Sequence, residues 1–411
     1  MAPRQLDLRS PSEARIDETV EPFVPSRIPV AGPHHQQRLL TARQRQVFRE
    51  RSTASRAAKS AALRGEGPPP LHELNHPRLD PVDLMPAVAP TGLRGLSLFS
   101  GGGGLDLGFE RAGFTHAASY ELLEDAAATL VGARPDWVVH GGQDGDVTMM
   151  KGRWRSWRGA VDIVHGGPPC QPFSNAGRQA GRDDVRDMWP AMVDCVKTVN
   201  PIAFVGENVP ALASKKFAQY VQENIVAPLE PRYTIRMIKL RAPDFGIPQM
   251  RQRVFFIGFR RARDARRFEP PRPTHAYDRS SLTAGLAPCM GAREALGLEE
   301  TGFDALSPTI RSPLTGPRHT TSILNSVAAQ RTFDRLGIWP SGVALTRALA
   351  QAYVASNGNF RLSVPDVALL QGFPDDWPFV GATYMQLGQI GNAVPPPLGY
   401  AVARAVAEAV S

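Results

Sequence analysis

Cysteine is scarce in this chain: three thiols, Cys170, Cys195 and Cys289, in 411 residues, far apart and with no Cys-x-x-Cys pair. The histidines form no cluster beside them. That scarcity argues against a disulfide framework and against a structural zinc site, so no metal is expected and a reducing cytoplasm fits. Long apolar runs are missing as well. None approaches the ~20 residues that span a bilayer, and the N-terminus lacks the charged, apolar, small-residue order of a signal peptide. No Gly-Lys-Ser/Thr follows the glycine-rich segment, which disfavours a phosphate-cradling loop of the P-loop kind. There is no internal repeat.

What is present is basic. Forty-seven Lys and Arg against 39 acids give a formal net charge of +8, which favours a polyanionic partner. Residues 1–90 stand apart: Pro-rich segments, including Pro68-Pro69-Pro70, flank a helix-compatible stretch at 41–63. That stretch carries Arg43, Arg45, Arg49, Arg51, Arg56 and Lys59 against the single acid Glu50. It reads as a solvated extension or as a basic arm that touches phosphates. From residue 91 apolar strands alternate with helical patterns, the mark of an α/β doubly wound, Rossmann-like sheet. Strands are expected at 93–99, 116–120, 161–164 and 202–205, and helices at 105–112, 125–132 and 187–199. A pair at 233–240 and 253–259 should run antiparallel at the sheet edge. Residues 260–385, rich in Arg, Pro, Thr, Ser and Gly, form a smaller irregular lobe, and 386–411 return to the first with a short helix at 395–410.

Three signals carry chemistry. The run Gly166-Gly167-Pro168-Pro169-Cys170-Gln171-Pro172 follows a buried strand and presents a cysteine from a stiff loop at the strand's C-terminal edge, where open α/β sheets keep their sites. Prolines fix φ on both sides of it, so Cys170 reads as a nucleophile. Cys195 reads as core and Cys289 as inert. Phe99-Ser100-Gly101-Gly102-Gly103-Gly104 joins a strand to a helix, and its glycines let backbone amides approach a ligand closely. The next strand ends in Glu121, suited to ribose hydroxyls, followed by Leu122; downstream, Asp146-Val147 could hold an adenine amine and its face.

Read in order, these landmarks resemble the cytosine-5 DNA methyltransferase family of the bacterial restriction–modification type, from about residue 93 to the C-terminus. Pro168-Pro169-Cys170 is similar to its nucleophile motif, Glu207-Asn208-Val209 to its Glu-Asn-Val, and Gln249-Met250-Arg251-Gln252-Arg253 to its Gln-x-Arg-x-Arg. Leu370-Gln371-Gly372-Phe373-Pro374 and Gln389-Ile390-Gly391-Asn392-Ala393-Val394 complete the series. Two departures are Leu122, where the family often has a larger residue over the adenine, and Ala393, in place of a common serine.

The resemblance implies an S-adenosylmethionine-dependent enzyme acting on double-stranded DNA, monomeric, with a cognate restriction endonuclease at the same site. Its cofactor would be held by Phe99, Ser100, Gly101, Gly103, Gly104, Glu121, Leu122, Asp146, Val147, Pro169, Asn392 and Ala393. Asn392 would order the turn that brings the last helix back to the cofactor loop, or touch the cofactor directly. Cys170 would add to carbon 6 of a flipped-out cytosine. Glu207 would contact ring nitrogen 3, and Arg251 and Arg253 the base's carbonyl, with Arg253 the closer. The loop 174–186, with Gly177 and Gly181 as hinges, would close on DNA, Gln171, Ser174 and Arg178 filling the vacated space or gripping phosphates. In the irregular lobe, which would recognise the target, Arg311 or Arg318 would read a base. Two alternatives remain: transfer-RNA cytosine methylation on the same centre, and transcriptional repression through the basic arm.

Overall fold

The computed structural model describes residues 74–169, 187–278, 285–315, 320–352 and 358–411, with scattered positions between 43 and 66. The described positions from 43 to 61 are helical, within the stretch where a basic helix is expected. Everything below concerns Arg51–Ser411, which forms one compact unit.

Its centre is a seven-stranded sheet in the order β3-β2-β1-β4-β5-β7-β6. The strands are β1 (Arg94–Leu98), β2 (Thr115–Glu121), β3 (Val139–Gly141), β4 (Ile163–Gly166), β5 (Ala203–Asn208), β6 (Thr234–Arg241) and β7 (Gln252–Phe259). β1 to β5 run parallel, whereas β7 is antiparallel to both β5 and β6. The order reverses between β1 and β4, so chain leaving either strand opens onto one crevice. The antiparallel pair is where it was expected, with β6 at the edge. The three-residue β3 was not foreseen, being too short for a period.

Both faces of the sheet are covered, which is why its central strands read as unbroken apolar runs. Along β7, Phe255, Ile257 and Phe259 join one core and Val254 and Phe256 the other. The first core lies under α1 (Gly104–Arg111) and the C-terminal helix, the second under α3 (Trp189–Val199); α2 (Glu124–Ala133) follows β2. α4 (Val364–Gln371) starts at a capping box: Ser363 accepts from the Asp366 N–H while Asp366 accepts from the Ser363 N–H, and Gly372 ends the helix in a left-handed turn. α5 (Thr383–Asn392) and α6 (Pro396–Val410) follow. α6 crosses α1 so closely that a Cβ on Gly108 would lie 2.5 Å from the Tyr400 nitrogen.

Two features differ from the sequence reading. Residues 74–90, counted there with the extension, are built into the core: Met85 is fully buried, its carbonyl accepts from Arg111 Nε, and Asn75 donates to Leu296 and Asp366. The first core also continues without a break into residues 292–373 through Leu296, Phe333, Ile338 and Leu362. These residues belong to the stretch 260–385 that composition set apart as a smaller irregular lobe. Among the described residues no helix is long and apolar enough to cross a membrane.

Candidate active site

Several residues singled out in the sequence lie at the C-terminal ends of β1, β2, β4 and β5. Leaving β1, Phe99 has φ +54°, one of two non-glycine residues with positive φ among those described. That left-handed turn is sterically costly for a residue with a Cβ and persists where the surroundings dictate it. It swings the chain into Ser100, whose hydroxyl meets Ser97 Oγ at 2.8 Å, and then into the glycines.

Glu121 at the end of β2 is 7% exposed and accepts from the N–H of Gly101 at 2.6 Å and of Leu123 at 2.8 Å. Burial holds its carboxyl above the ordinary carboxylate range, opposed by those amides. Beside it Leu122 is 54% exposed, an apolar side chain with no covering partner among the described residues. Asp146 caps the short turn Val147–Met150, accepting from the Thr148 N–H and hydroxyl through Oδ1, and Val147 is buried. Gly145 brings this segment against the end of β2: a Cβ there would lie 2.2 Å from the Glu121 carbonyl.

The four glycines do different work. Gly101 has φ +55° and open space where a Cβ would stand. The next three face an aromatic wedge from the α4–α5 connection. A Cβ on Gly102 would meet Phe379 at 2.9 Å, one on Gly103 would meet Trp377 at 2.9 Å, and one on Gly104 would meet Phe373 at 3.1 Å. Gly104 would also strike the Val394 carbonyl, so Ala393 and Val394 run directly over the loop, while Asn392 is exposed at the end of α5. The wedge was not read from the sequence. Its one signal was an aromatic cluster, Phe373, Trp377 and Phe379, beside a motif already noted.

One strand beyond the reversal is a second cluster. β4 and β5 pair Gly166 with Gly206, placing the loop after β4 beside Glu207 and Asn208. Asn208 donates to the Pro168 carbonyl at 3.1 Å, and a Cβ on Gly167 would lie 2.9 Å from Glu207 Oε2. The description stops at Pro169, so Cys170, Gln171, Ser174, Arg178 and the loop to 186 lie outside the described residues, as does Arg318. Glu207 is 6% exposed, its Oε1 2.6 Å from Arg253 Nε. Burial raises its pKa despite the two guanidinium groups of Arg253 and Arg251, which pull it down. The other two thiols are held as thiols by burial: Cys195, inside α3, is pushed well above its usual value, and Cys289 up to about 12.

The two arginines part company. Arg253 reaches Glu207, whereas Arg251, fully buried, donates to the carbonyls of Ile310, Gly391 and Ala393. Gln249 joins the same clasp, donating to Leu370 and Gln371, while Gln371 donates to Ala393. Arg251 and Gln249 thus fasten the start of β7 to the ends of α4 and α5. A cleft of about 320 Å³ opens beside them, lined by Arg241, Met250, Arg253 and Thr309 among others. Thr309 donates to the Met250 carbonyl, tying residues 307–310 to its floor. Arg311 lies just beyond, half-buried.

A sheet with one antiparallel strand, a glycine loop after β1 and an acid ending β2 define an α/β methyltransferase fold. Residues 93–408 match the family described as C-5 cytosine-specific DNA methylase, and the chain belongs to that family. It is similar to Type II methyltransferase M.NgoMIV of Neisseria gonorrhoeae, 33% identical over 77% of this chain and 97% of that protein. It is also similar to Type II methyltransferase M.NaeI of Lentzea aerocolonigenes, 33% identical over 77% of this chain and 75% of that protein. Type II methyltransferase M.AplI of Arthrospira platensis is 34% identical over 76% of this chain and 84% of its own length. The protein is therefore a DNA cytosine-5 methyltransferase.

Proposed function

We propose that the enzyme methylates one short DNA sequence through a covalent adduct between Cys170 and a flipped-out cytosine, and so protects DNA from a cognate restriction endonuclease. The observation that carries the chemistry is the pinned exit of β4. Asn208 holds Pro168, and Gly167 lies against Glu207, so the two residues that lead into the Pro169-Cys170 step are held beside a buried carboxyl and its arginine. The relatives' names as Type II methyltransferases support the protective role.

S-adenosylmethionine suits the crevice at β1 and β2, which offers open space at Gly101, a buried acceptor in Glu121 and the uncovered apolar Leu122. When bound it supplies an electrophilic methyl group on a sulfonium. Phe99, Ser100, Gly103, Gly104, Asp146, Val147, Pro169, Asn392 and Ala393 would complete the cofactor site. Glu121 binds ribose hydroxyls, and Leu122 packs on the adenine.

Carbon 5 of cytosine is a poor nucleophile until the ring's aromaticity is broken. The Cys170 thiolate adds at carbon 6 and displaces an electron pair toward carbon 5, making that carbon the nucleophile that the cofactor's methyl group would alkylate. Glu207, whose burial favours the protonated form, donates to nitrogen 3 as charge develops there, and Arg253 fixes the carboxyl and the base's carbonyl. Loss of the carbon 5 proton to a base, with the nitrogen 3 proton returning to Glu207, then expels the thiolate and restores the ring. Cysteine cannot reach carbon 6 in stacked duplex, so the base is flipped out. Residues 260–385 recognise the target sequence, with Arg311 or Arg318 reading a base. The enzyme acts as a monomer.

Bisulfite sequencing of unmethylated plasmid after incubation with enzyme and S-adenosylmethionine tests this reading. One short recurring sequence carrying protected cytosines is expected. Cys170→Ala should lose activity by a factor on the order of 10⁴ or more while still binding cofactor. Residual methylation at the same sites by that variant would refute the covalent mechanism.

A further inference from the structure

The aromatic wedge has no part in the chemistry above, yet it touches the cofactor loop at three successive residues. Trp377 does so by more than contact: its indole Nε1 donates to the Gly102 carbonyl at 2.9 Å. The N–H of Gly103 donates to the Ser100 carbonyl at 3.0 Å. The peptide plane between Gly102 and Gly103 is therefore held at both ends. Gly101, one residue earlier, donates to Glu121. A loop of four glycines has the largest conformational entropy to lose on folding, and these bonds select one shape from many.

Trp377 is itself braced. It is 6% exposed, and the Arg134 guanidinium lies 5.3 Å from its ring centroid. Arg134 makes a bidentate pair with Glu110 of α1, both bonds 2.7 Å. Phe373 packs 5.9 Å from Trp377 and Phe379 5.0 Å from Phe373. The segment bearing all three aromatics joins the end of α4 to the start of α5.

We infer that Trp377 is a positioning residue for the cofactor: its indole N–H fixes the Gly102–Gly103 peptide in the shape that S-adenosylmethionine binds. The inference rests on the reading of this loop as the cofactor site. Preorganisation of this kind lowers the entropy lost on binding, so it acts on cofactor affinity and leaves the chemical step alone. Loss of one such bond weakens affinity about five- to tenfold.

Trp377→Phe and Trp377→His in the full chain separate hydrogen bonding from packing. Histidine is the smaller ring but keeps an N–H, so packing alone ranks it below phenylalanine and hydrogen bonding ranks it above. Calorimetric titration with S-adenosylmethionine should give a Kd raised about five- to tenfold in Trp377→Phe and partly restored in Trp377→His. KM for the cofactor should follow, with kcat at saturating cofactor and Kd for duplex DNA within about twofold. Arg134→Met, which leaves the indole in place but removes its brace, should raise the cofactor Kd by about twofold. Equal losses toward cofactor and DNA, unchanged cofactor affinity, or Trp377→His weaker than Trp377→Phe would each overturn the inference. Should the Trp377 variants not fold, unchanged affinity in Arg134→Met overturns it. Glu121→Ala serves as the separate arm: if it too binds cofactor normally, the site assignment itself fails.

Discussion

Glu121 is the last residue of β2 and Glu207 the last but one of β5, on opposite sides of the reversal between β1 and β4, and both are buried. Burial raises both pKa values. They differ in what meets the carboxylate. Two backbone amides meet Glu121, donors whose charge and position are fixed by the fold. A guanidinium meets Glu207 at 2.6 Å, itself on a side chain, with open cleft beyond. A carboxylate held by amides is a rigid acceptor, suited to a ligand that must be gripped in one pose. A carboxyl whose ionised form is disfavoured by burial and favoured by a nearby cation suits a group that must answer developing charge. On the proposed function, the same residue type serves binding on one side of the crevice and chemistry on the other.

The sharpest test of that division is Glu207→Gln. The amide keeps the shape but cannot hand over a proton as charge grows on the base, so kcat should fall by about 10²- to 10⁴-fold. Cofactor Kd, measured by titration, should not change. A comparable loss of cofactor affinity would break the comparison, because it would make Glu207 part of one undivided site. Glu121→Ala should behave in the opposite way. Cofactor Kd should rise about 10- to 100-fold as the amides of Gly101 and Leu123 lose their acceptor and the ribose its partner, with kcat at saturating cofactor far less affected. A kcat loss as large as that of Glu207→Gln would show that the β2 end also takes part in the chemical step.

Much of this arrangement was legible in the chain, for a physical reason. Parallel strands buried on both faces leave continuous apolar runs, and the loops at their ends carry side chains that serve no packing purpose. Cys170 and Glu121 stood out for that reason, whereas Glu207 was found only through the resemblance of Glu207-Asn208-Val209 to the family motif. The motif gave Arg251 and Arg253 one role toward the base, with Arg253 the closer, and nothing in the spacing showed that Arg251 serves the backbone instead. They diverge because β7 begins only at Gln252, so Arg251 still belongs to the turn and points to the carbonyls of α5's C-terminus. The three glycines after Gly101 looked like ligand-facing backbone. Their Cβ positions are filled by aromatics some 270 residues away in the chain, a relation no local pattern encodes. α4 was overlooked although Ser363 and Asp366 form a capping box, because the surrounding segment has weak periodicity. Residues 74–90 were set aside on composition, yet Asn75 and Met85 are buried by partners far along the chain.

The smallest predicted effect is one of pH, and its sign distinguishes the binding carboxylate from an ordinary buried acid. Without ligand, the folded protein holds Glu121 above its unfolded value of 4.5. Folding therefore takes up protons in that range, and this group's contribution to stability is greatest below the unfolded pKa and is lost as pH rises through the folded one. Cofactor affinity runs the other way. Ribose hydroxyls need the ionised acceptor, so Kd should rise as pH falls through the folded pKa, from a starting point above the ordinary carboxylate range. Titrations between pH 8 and 5 should thus show affinity weakening by a few-fold toward acid, while thermal unfolding of the unliganded protein shows no matching loss from this group. Glu121→Gln isolates the effect, since Glu207 is raised by burial too and adds its own slope to stability. The variant should bind weakly at every pH and lose the acid-side slope in affinity. If the slope survives in Glu121→Gln, another group near the glycine loop sets it, and the contrast between the two glutamates loses its binding half.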